Sequence, residues 1–151
     1  MRILFLGDIV GPTGCKIVEE NLNDQIMKNK IDFVIVNGEN AANNGVGITE
    51  KISNDLFRCG VDVITTGNHV WDQKETADYI CKENRLLRPF NLISPSPGKG
   101  FEVYKSKNGF KVGVLNLMGN VFMKKCENVF ETIKNFISKN NLKKNYDFLV
   151  V

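Results

Sequence analysis

Residues 32–40 have the sequence DFVIVNGEN, a short apolar run that ends at a glycine followed by two polar residues. The run has the length of a β-strand, and its Phe, Val and Ile content is typical of a buried strand. Residues 2–8 (RILFLGD) and residues 61–69 (VDVITTGNH) have the same design, because each apolar run stops at a glycine. We therefore predict three buried strands in the first half of the chain.

The segments between these strands carry helical signals. Apolar side chains recur at helical spacing after the first strand, and they are Cys15, Val18, Leu22 and Ile26. Thr49 can cap a second helix that ends at Gly60. Residues 72–75 (DQKE) fit a capping box, which predicts a third helix through about Lys82.

The second half of the chain predicts a hairpin, a helix and a final strand. An Asn-Gly pair in the turn at residues 107–109 lies between apolar segments at 100–105 and 110–117, which is a strong hairpin signal. Apolar residues at helical spacing follow between positions 129 and 137, and residues 146–151 have the composition of a strand.

The order of these elements predicts the fold class. Strands that alternate with helices indicate an α/β fold, and the hairpin adds antiparallel pairing, so we expect a layered, mixed β-sheet with flanking helices. The sequence contains neither an internal repeat nor a linker long enough to divide it. We therefore predict one domain over residues 1–151.

Composition excludes several classes of protein. The chain is 42% hydrophobic and 25% charged, as soluble globular domains are, and its net charge of +3 argues against nucleic acid as a partner. Its apolar runs are far shorter than the roughly 20 residues of a membrane helix, and the first is too short for a signal peptide. The four cysteines lack CxxC spacing, so we expect reduced thiols and a cytoplasmic location.

Polar side chains follow each of the three predicted strands. The segments are Gly7-Asp8, Gly38-Glu39-Asn40 and Gly67-Asn68-His69. The carboxyl ends of parallel strands share one edge of a sheet, so these side chains should converge there. One such segment alone is more often a turn or a helix cap, but three at successive strand ends indicate a site. Oxygen ligands suit a divalent metal, and the candidates are Asp8, Glu39, Asn40 and Asn68.

Other nucleotide-site and catalytic motifs are missing from the sequence. The glycine-rich segment at residues 11–16 (GPTGCK) lacks the closing GK[ST] of a phosphate-binding P-loop, and residues 7–14 contain no GxGxxG. A GxSxG nucleophile elbow does not occur either.

The motifs resemble those of the calcineurin-like metallophosphoesterases, specifically the bacterial YmdB-like branch. The segments that carry the resemblance are residues 7–11 (GDIVG), 36–42 (VNGENAA), 66–72 (TGNHVWD), 88–91 (RPFN) and 97–100 (PGKG). Val10 stands where the superfamily has a histidine, and Glu39-Asn40 replace its usual aspartate, both as in the YmdB-like branch. The resemblance implies that the chain is the N-terminal half of an αββα metallophosphoesterase sandwich.

The resemblance also implies a function. Members of this branch cleave phosphodiesters, those of 2′,3′- or 3′,5′-cyclic nucleotides, at a dinuclear site of iron or manganese. By position, Asp8 and Asn40 would bind the first metal, Asn68 the second, and Glu39 would bridge both. His69 would be the catalytic general acid beside the leaving oxygen, a role that suits an imidazole because it exchanges protons near neutral pH. The implied partner is a small-molecule phosphodiester substrate, and a homo-oligomer stays open.

The family's chains are considerably longer than this sequence. Their second half supplies three metal-binding histidines, whereas His69 is the only histidine among these 151 residues. We therefore expect a domain truncated at its C-terminus, with most of the second sheet of the sandwich absent and little activity by this chain alone. Two alternatives stay open: a non-catalytic nucleotide-binding or regulatory protein that retains half of the site, and a Rossmann-like binding domain without metal.

Overall fold

The computed structural model describes residues 1–93, 95–123 and 126–151. The elements within these ranges, in chain order, are β1 (Ile3–Leu6), α1 (Gly11–Asn29), β2 (Phe33–Asn37), α2 (Glu50–Arg58), β3 (Val63–Thr65), α3 (Thr76–Tyr79), β4 (Leu86–Leu87), β5 (Phe101–Lys105), β6 (Lys111–Leu115), α4 (Val129–Lys139) and β7 (Phe148–Val150). The three strands predicted from the apolar runs are β1, β2 and β3, so their existence and order are confirmed.

The first sheet is entirely parallel, with the strand order β1-β2-β3-β4. Its register pairs Leu6 with Val36 across β1 and β2, and Asn37 with Thr65 across β2 and β3. The strands therefore end nearly level with one another, and the segments that follow β1, β2 and β3 emerge at one edge of the sheet. The predicted α/β class with a parallel sheet and flanking helices is confirmed.

A second sheet contains β5, β6 and β7. The strands β5 and β6 form the predicted hairpin, whereas β6 and β7 are parallel and are connected through α4. The mixed pairing therefore lies in a separate layer and not at one side of the parallel sheet. Residues 101–150 thus contribute a second sheet of three strands, and the expectation that most of the sandwich's second sheet lies outside this chain stays a prediction.

The strand β2 is buried on both faces and joins two apolar clusters. Successive residues of a strand point to opposite faces. Val34 and Val36 pack in the cluster under α1 and α2, whereas Phe33 and Ile35 pack in the cluster between the two sheets. The other members of the inter-sheet cluster are Val63, Leu87, Val112 and Val114, with Ile3, Tyr104 and Val150 at its border. The continuous apolar run of β2 therefore lies between the layer of α1 and α2 and the second sheet.

The helix caps agree with the sequence at α2 and disagree at α3. The Thr49 hydroxyl accepts a hydrogen bond from the Ile52 amide at 3.2 Å, as predicted. The predicted capping box at residues 72–75 is wrong, because α3 has only four residues and its N-cap Glu75 makes no side-chain cap bond. The Glu75 carboxylate instead accepts a hydrogen bond from the backbone amide of Glu50, at the start of α2.

Two further observations concern the sequence expectations. None of the described helices combines the length and the apolar character needed to cross a lipid bilayer. The four cysteines are free thiols in the structure, and burial raises the pKa of the Cys15 and Cys59 thiols.

The inter-sheet cluster should carry much of the stability. We expect Ile35→Ala to lower the free energy of unfolding by about 2–5 kcal/mol, because Ile35 is 0% exposed and its removal leaves a cavity between the sheets. Ile17→Ala is the matched control, since Ile17 is 57% exposed on α1 and should change stability by less than about 0.5 kcal/mol. Urea unfolding followed by circular dichroism measures both, and equal losses would contradict the two-sheet core.

Candidate functional site

Backbone hydrogen bonds hold the three strand ends together at one edge of the parallel sheet. The Ile9 amide donates to the Asn37 carbonyl at 2.9 Å, and the Gly38 amide donates to the Thr65 carbonyl at 3.0 Å. The Gly11 amide donates to the carbonyl of Asn40, also at 2.9 Å. The parallel pairing is thus continued past the ends of the strands, and it brings the polar segments after β1 and β2 side by side.

The structure brings Asp8 and Asn40 into direct contact. The Asn40 Nδ2 group donates a hydrogen bond to Asp8 Oδ2 at 2.8 Å. Asp8 is exposed and Asn40 is half-buried, so the pair lies at the rim of the sheet and can be reached from solvent. Two of the four predicted metal ligands are therefore neighbours across β1 and β2.

The Glu39 carboxylate points from the end of β2 to the end of β3. A Cβ atom placed on Gly67 would lie 2.0 Å from Glu39 Oε2, so the carboxylate lies directly against the glycine backbone. Glu39 is held there by its own backbone: its amide donates to Asn37 Oδ1 at 2.9 Å, and its carbonyl accepts from the Gly47 amide at 2.6 Å. A side chain at position 67 would therefore displace the Glu39 carboxylate from this position.

One oxygen of this carboxylate lacks a partner in the structure. Among the described residues, Glu39 Oε2 is the buried side-chain oxygen or nitrogen that makes no hydrogen bond. A buried carboxylate oxygen that loses its water without gaining a donor costs free energy, and a bound cation removes that cost. The residues at this edge therefore fit a metal ion, with carboxylate and carboxamide oxygens as donors.

Asn68 and His69 follow β3 on a tight turn. Both side chains are half-buried, and the turn is closed by a 3.2 Å hydrogen bond from the Val70 amide to the Gly67 carbonyl. His69 Nδ1 lies 2.6 Å from Asp72 Oδ2. Within the described ranges the Asn68 side chain makes no hydrogen bond. Asn68 is placed near the other candidate ligands by its neighbour Gly67, whose backbone lies against the Glu39 carboxylate.

Carboxylates alone do not complete a metal centre here. No group of three or more His, Cys, Asp or Glu side chains that could hold a metal ion occurs among the residues described. The candidate set has only two carboxylates, from Asp8 and Glu39, and is completed by two carboxamides. The chain therefore brings together part of a ligand set.

The structure adds two residues that the sequence did not suggest. Asp72 was assigned to a helix cap, but its side chain contacts His69. Asn116, at the end of β6, is buried and donates from Nδ2 to the carbonyls of Thr66 at 2.7 Å and Leu87 at 3.1 Å. It ties the second sheet to the backbone just before Gly67. The available signal was an asparagine inside the apolar segment VGVLNLM at residues 112–118.

The RPFN motif at residues 88–91 has a structural explanation. Asn91 is fully buried and donates to the carbonyls of Met118 and Glu127, at 2.8 and 2.9 Å. The Arg88 guanidinium donates to the Pro97 carbonyl at 3.0 Å, and burial lowers the pKa of this side chain. The motif therefore fastens loops at the rim of the sheets.

An apolar groove lies beside Asp8. It has a volume of about 700 Å³ and runs between β1 and α1. Its lining includes Leu4, Leu6, Val18 and Leu22. Because β1 is the outer strand of the parallel sheet, one side of its backbone is unpaired within the part of the chain described.

Comparison with known proteins agrees with the motifs. Residues 4–151 match the family described as YmdB-like protein. The chain belongs to this family. The resemblance to the YmdB-like branch predicted from the strand-end motifs is therefore confirmed.

Relatives and solved structures support the assignment. The chain is 45% identical over 130 residues to the 2′,3′-cyclic-nucleotide 2′-phosphodiesterase of Bacillus subtilis. The aligned region covers 86% of this chain and 48% of that protein. A crystal structure of a phosphatase from Mycoplasma pneumoniae superposes with a TM-score of 0.87 at 33% identity, over 99% of this chain and 53% of that one. A hypothetical protein from Thermus thermophilus gives a TM-score of 0.87 at 32% identity, over 99% of this chain and 56% of that one. The chain thus spans about half the length of these proteins.

The contact between Glu39 and Gly67 can be tested without metal. We expect Gly67→Ala to lower the free energy of unfolding by about 1 kcal/mol, because the end of the flexible Glu39 side chain must move aside for the added methyl group. In a Glu39→Ala background the same change should cost less than about 0.5 kcal/mol, which is the coupling that a double-mutant cycle measures. Gly119→Ala is the control, since a Cβ there meets nothing within 4 Å. Equal penalties in the two backgrounds would show that the carboxylate is elsewhere.

Proposed function

We propose that this chain supplies one half of the active site of a metal-dependent phosphodiesterase. The observation that carries the proposal is the unpartnered, buried oxygen of Glu39 at the edge where the Asp8–Asn40 pair also lies. Such an oxygen needs a hydrogen-bond donor or a cation. In the described part of the chain no side-chain donor takes that place, so a bound cation is the simplest partner.

The candidate ligands divide between two cations. Asp8 and Asn40 would hold the first, Asn68 would hold the second, and Glu39 would bridge them, since its carboxylate spans from the end of β2 to the end of β3. Carboxylate and carboxamide oxygens suit a hard cation such as manganese, and iron is the other metal that the family resemblance implies. When bound, two such cations supply Lewis-acid polarisation of a phosphate ester and activate water at neutral pH.

His69 would act as the general acid. It follows the candidate ligand Asn68 directly, and its side chain is 33% exposed, so it can reach a substrate at the rim. Protonation of the departing oxygen by a positioned imidazole contributes about 10²–10⁴-fold to rate. His69 is the only histidine in the chain, so with His69 as the acid these 151 residues offer no imidazole ligand to the cations.

The substrate class is proposed from the relatives. The Bacillus subtilis relative is named for cleavage of 2′,3′-cyclic nucleotides, and we propose a cyclic nucleotide, 2′,3′- or 3′,5′-cyclic, as the small-molecule substrate here. The four free thiols fit a reducing compartment, which supports a cytoplasmic location. Because the chain spans about half of its relatives, we expect weak metal binding and little turnover by these residues alone.

Metal binding by the 151-residue chain is the first test. We expect Mn²⁺ to bind, as measured by calorimetry or by loss of the free-ion electron paramagnetic resonance signal. Glu39→Gln should weaken that binding by at least about tenfold, because it removes the charge of the proposed bridging ligand. Glu20→Gln is the matched control, since Glu20 lies exposed on α1. Equal affinity of the wild type and the Glu39 variant would refute the site.

Turnover is the second test. We expect the chain alone to hydrolyse bis-p-nitrophenyl phosphate and 2′,3′-cyclic AMP at or near background with Mn²⁺ or Fe²⁺. A chimera that joins the second half of the Bacillus subtilis relative after Val151 should be active, and His69→Asn in that chimera should lower kcat by about 10²–10⁴-fold. Hydrolysis by the chain alone that Asp8→Ala abolishes would overturn the expected weak activity. Cyclic-nucleotide binding without turnover in a folded chimera would favour the non-catalytic alternative.

A further inference from the structure

Asp72 contacts the one histidine of the chain. Its Oδ2 atom lies 2.6 Å from Nδ1 of His69, and the two side chains are 32% and 33% exposed. The pair lies on one turn after β3, in which the Asp72 amide also donates to the His69 carbonyl at 3.0 Å. Two hydrogen bonds, one from the backbone and one between the side chains, therefore fix the relation of these residues.

The carboxylate of Asp72 makes no other hydrogen bond or ion pair with the described residues. The sequence pattern assigned it to a capping box, but α3 begins only at Thr76 and its N-cap is Glu75. Gln73, the next residue, is used differently: its side-chain amide donates to the Val46 carbonyl at 2.7 Å and to Asn44 Oδ1 at 3.1 Å. Asp72 alone in this turn directs its carboxylate to the imidazole.

An ionised carboxylate can only accept hydrogen bonds, so the ring nitrogen that faces it must carry a hydrogen. In the neutral ring this places the hydrogen on Nδ1 and leaves Nε2 with its lone pair. In the charged ring both nitrogens carry hydrogens, and Nε2–H is the one that does not face Asp72. The contact therefore sets which nitrogen exchanges a proton with a neighbouring molecule.

We propose that Asp72 is the positioning residue of His69, fixing its tautomer and ring orientation so that Nε2 is the proton donor. This inference rests on the proposed function of His69. In the reaction, the Nε2–H bond of the imidazolium breaks as an O–H bond forms on the departing oxygen. The ring becomes neutral, and the hydrogen stays on Nδ1, which donates it in a hydrogen bond to Asp72. Asp72 itself exchanges no proton in this step.

The surrounding turn keeps the pair in place. Val70, between the two residues, is 1% exposed and packs in the cluster under the helices. The Gly47 backbone approaches so closely that a Cβ there would lie 3.2 Å from the His69 carbonyl oxygen. The turn that carries the imidazole is thus held by Val70 in the apolar core and by the Gly47 backbone. A positioned acid requires this kind of rigid support.

Nitrogen-15 magnetic resonance of the 151-residue chain tests the proposal directly. Because His69 is the only histidine, labelled imidazole gives a single pair of ring nitrogen signals. At a pH where the ring is neutral, we expect a protonated Nδ1 and an unprotonated Nε2. An Nε2-protonated ring, or signals averaged between the two tautomers, would overturn the proposal in the wild-type protein, without need of any variant.

Variants extend the test. Asp72→Ala should shift both signals towards the tautomer average, whereas Asp72→Asn should retain the Nδ1–H form, because its amide oxygen can still accept. Asp78→Ala, an exposed aspartate on α3, is the control and should leave the ring signals unchanged. Wild-type ring signals in Asp72→Ala would contradict the assigned role.

The same variants separate this inference from the proposed function. In the active chimera, Asp72→Ala should lower kcat by about ten- to a hundredfold with little change in KM, which is less than the loss on replacing His69 itself. An inactive chimera with the expected wild-type tautomer would refute the phosphodiesterase and leave the pairing intact. An active chimera in which Asp72→Ala keeps full kcat would refute the positioning role and leave the phosphodiesterase intact.

Discussion

The candidate site depends on the contact between the Glu39 carboxylate and the backbone of Gly67. This contact requires that β2 and β3 be parallel neighbours in the observed register, with Asn37 opposite Thr65. A shift of one residue would turn every side chain of β2 to the opposite face and move the carboxylate away from Gly67. The apolar residues of β2 fix this register, because alternate residues pack in two different apolar clusters on opposite faces of the sheet. Packing in the core therefore fixes the position of a charged group at the rim.

The second sheet takes part in this arrangement. Asn116 at the end of β6 donates to backbone carbonyls at the ends of β3 and β4. The Leu87 carbonyl also accepts from the amide and the hydroxyl of Thr66, at 3.0 and 2.8 Å, so the Asn116 amide adds a donor from the second sheet to a junction that is already bonded within the first. The segment that leads into Gly67, Asn68 and His69 is consequently bound from both layers. The candidate site lies at the junction of the two sheets and belongs to both of them.

Much of this architecture could be predicted from the sequence, because periodicity and glycine placement are local signals. The apolar runs before Gly7, Gly38 and Gly67 predicted the parallel strands and the shared edge, and the family followed from the same segments. What failed depended on partners that the local residue pattern does not specify. The capping box at residues 72–75 was locally valid, but Glu75 binds the start of α2 and Asp72 binds His69. The separation of the hairpin into its own sheet likewise depends on packing between layers, which strand periodicity does not encode.

The outer strand β1 leaves an apolar surface uncovered beside the candidate site. Phe5 is 54% exposed, and the groove between β1 and α1 reaches Asp8. A further strand laid parallel against β1 would cover this apolar surface and end beside Asp8, because parallel neighbours finish at a common edge. Whatever residues followed such a strand would arrive next to the carboxylate. The same added strand would then bury the apolar surface of β1 and place polar residues beside Asp8.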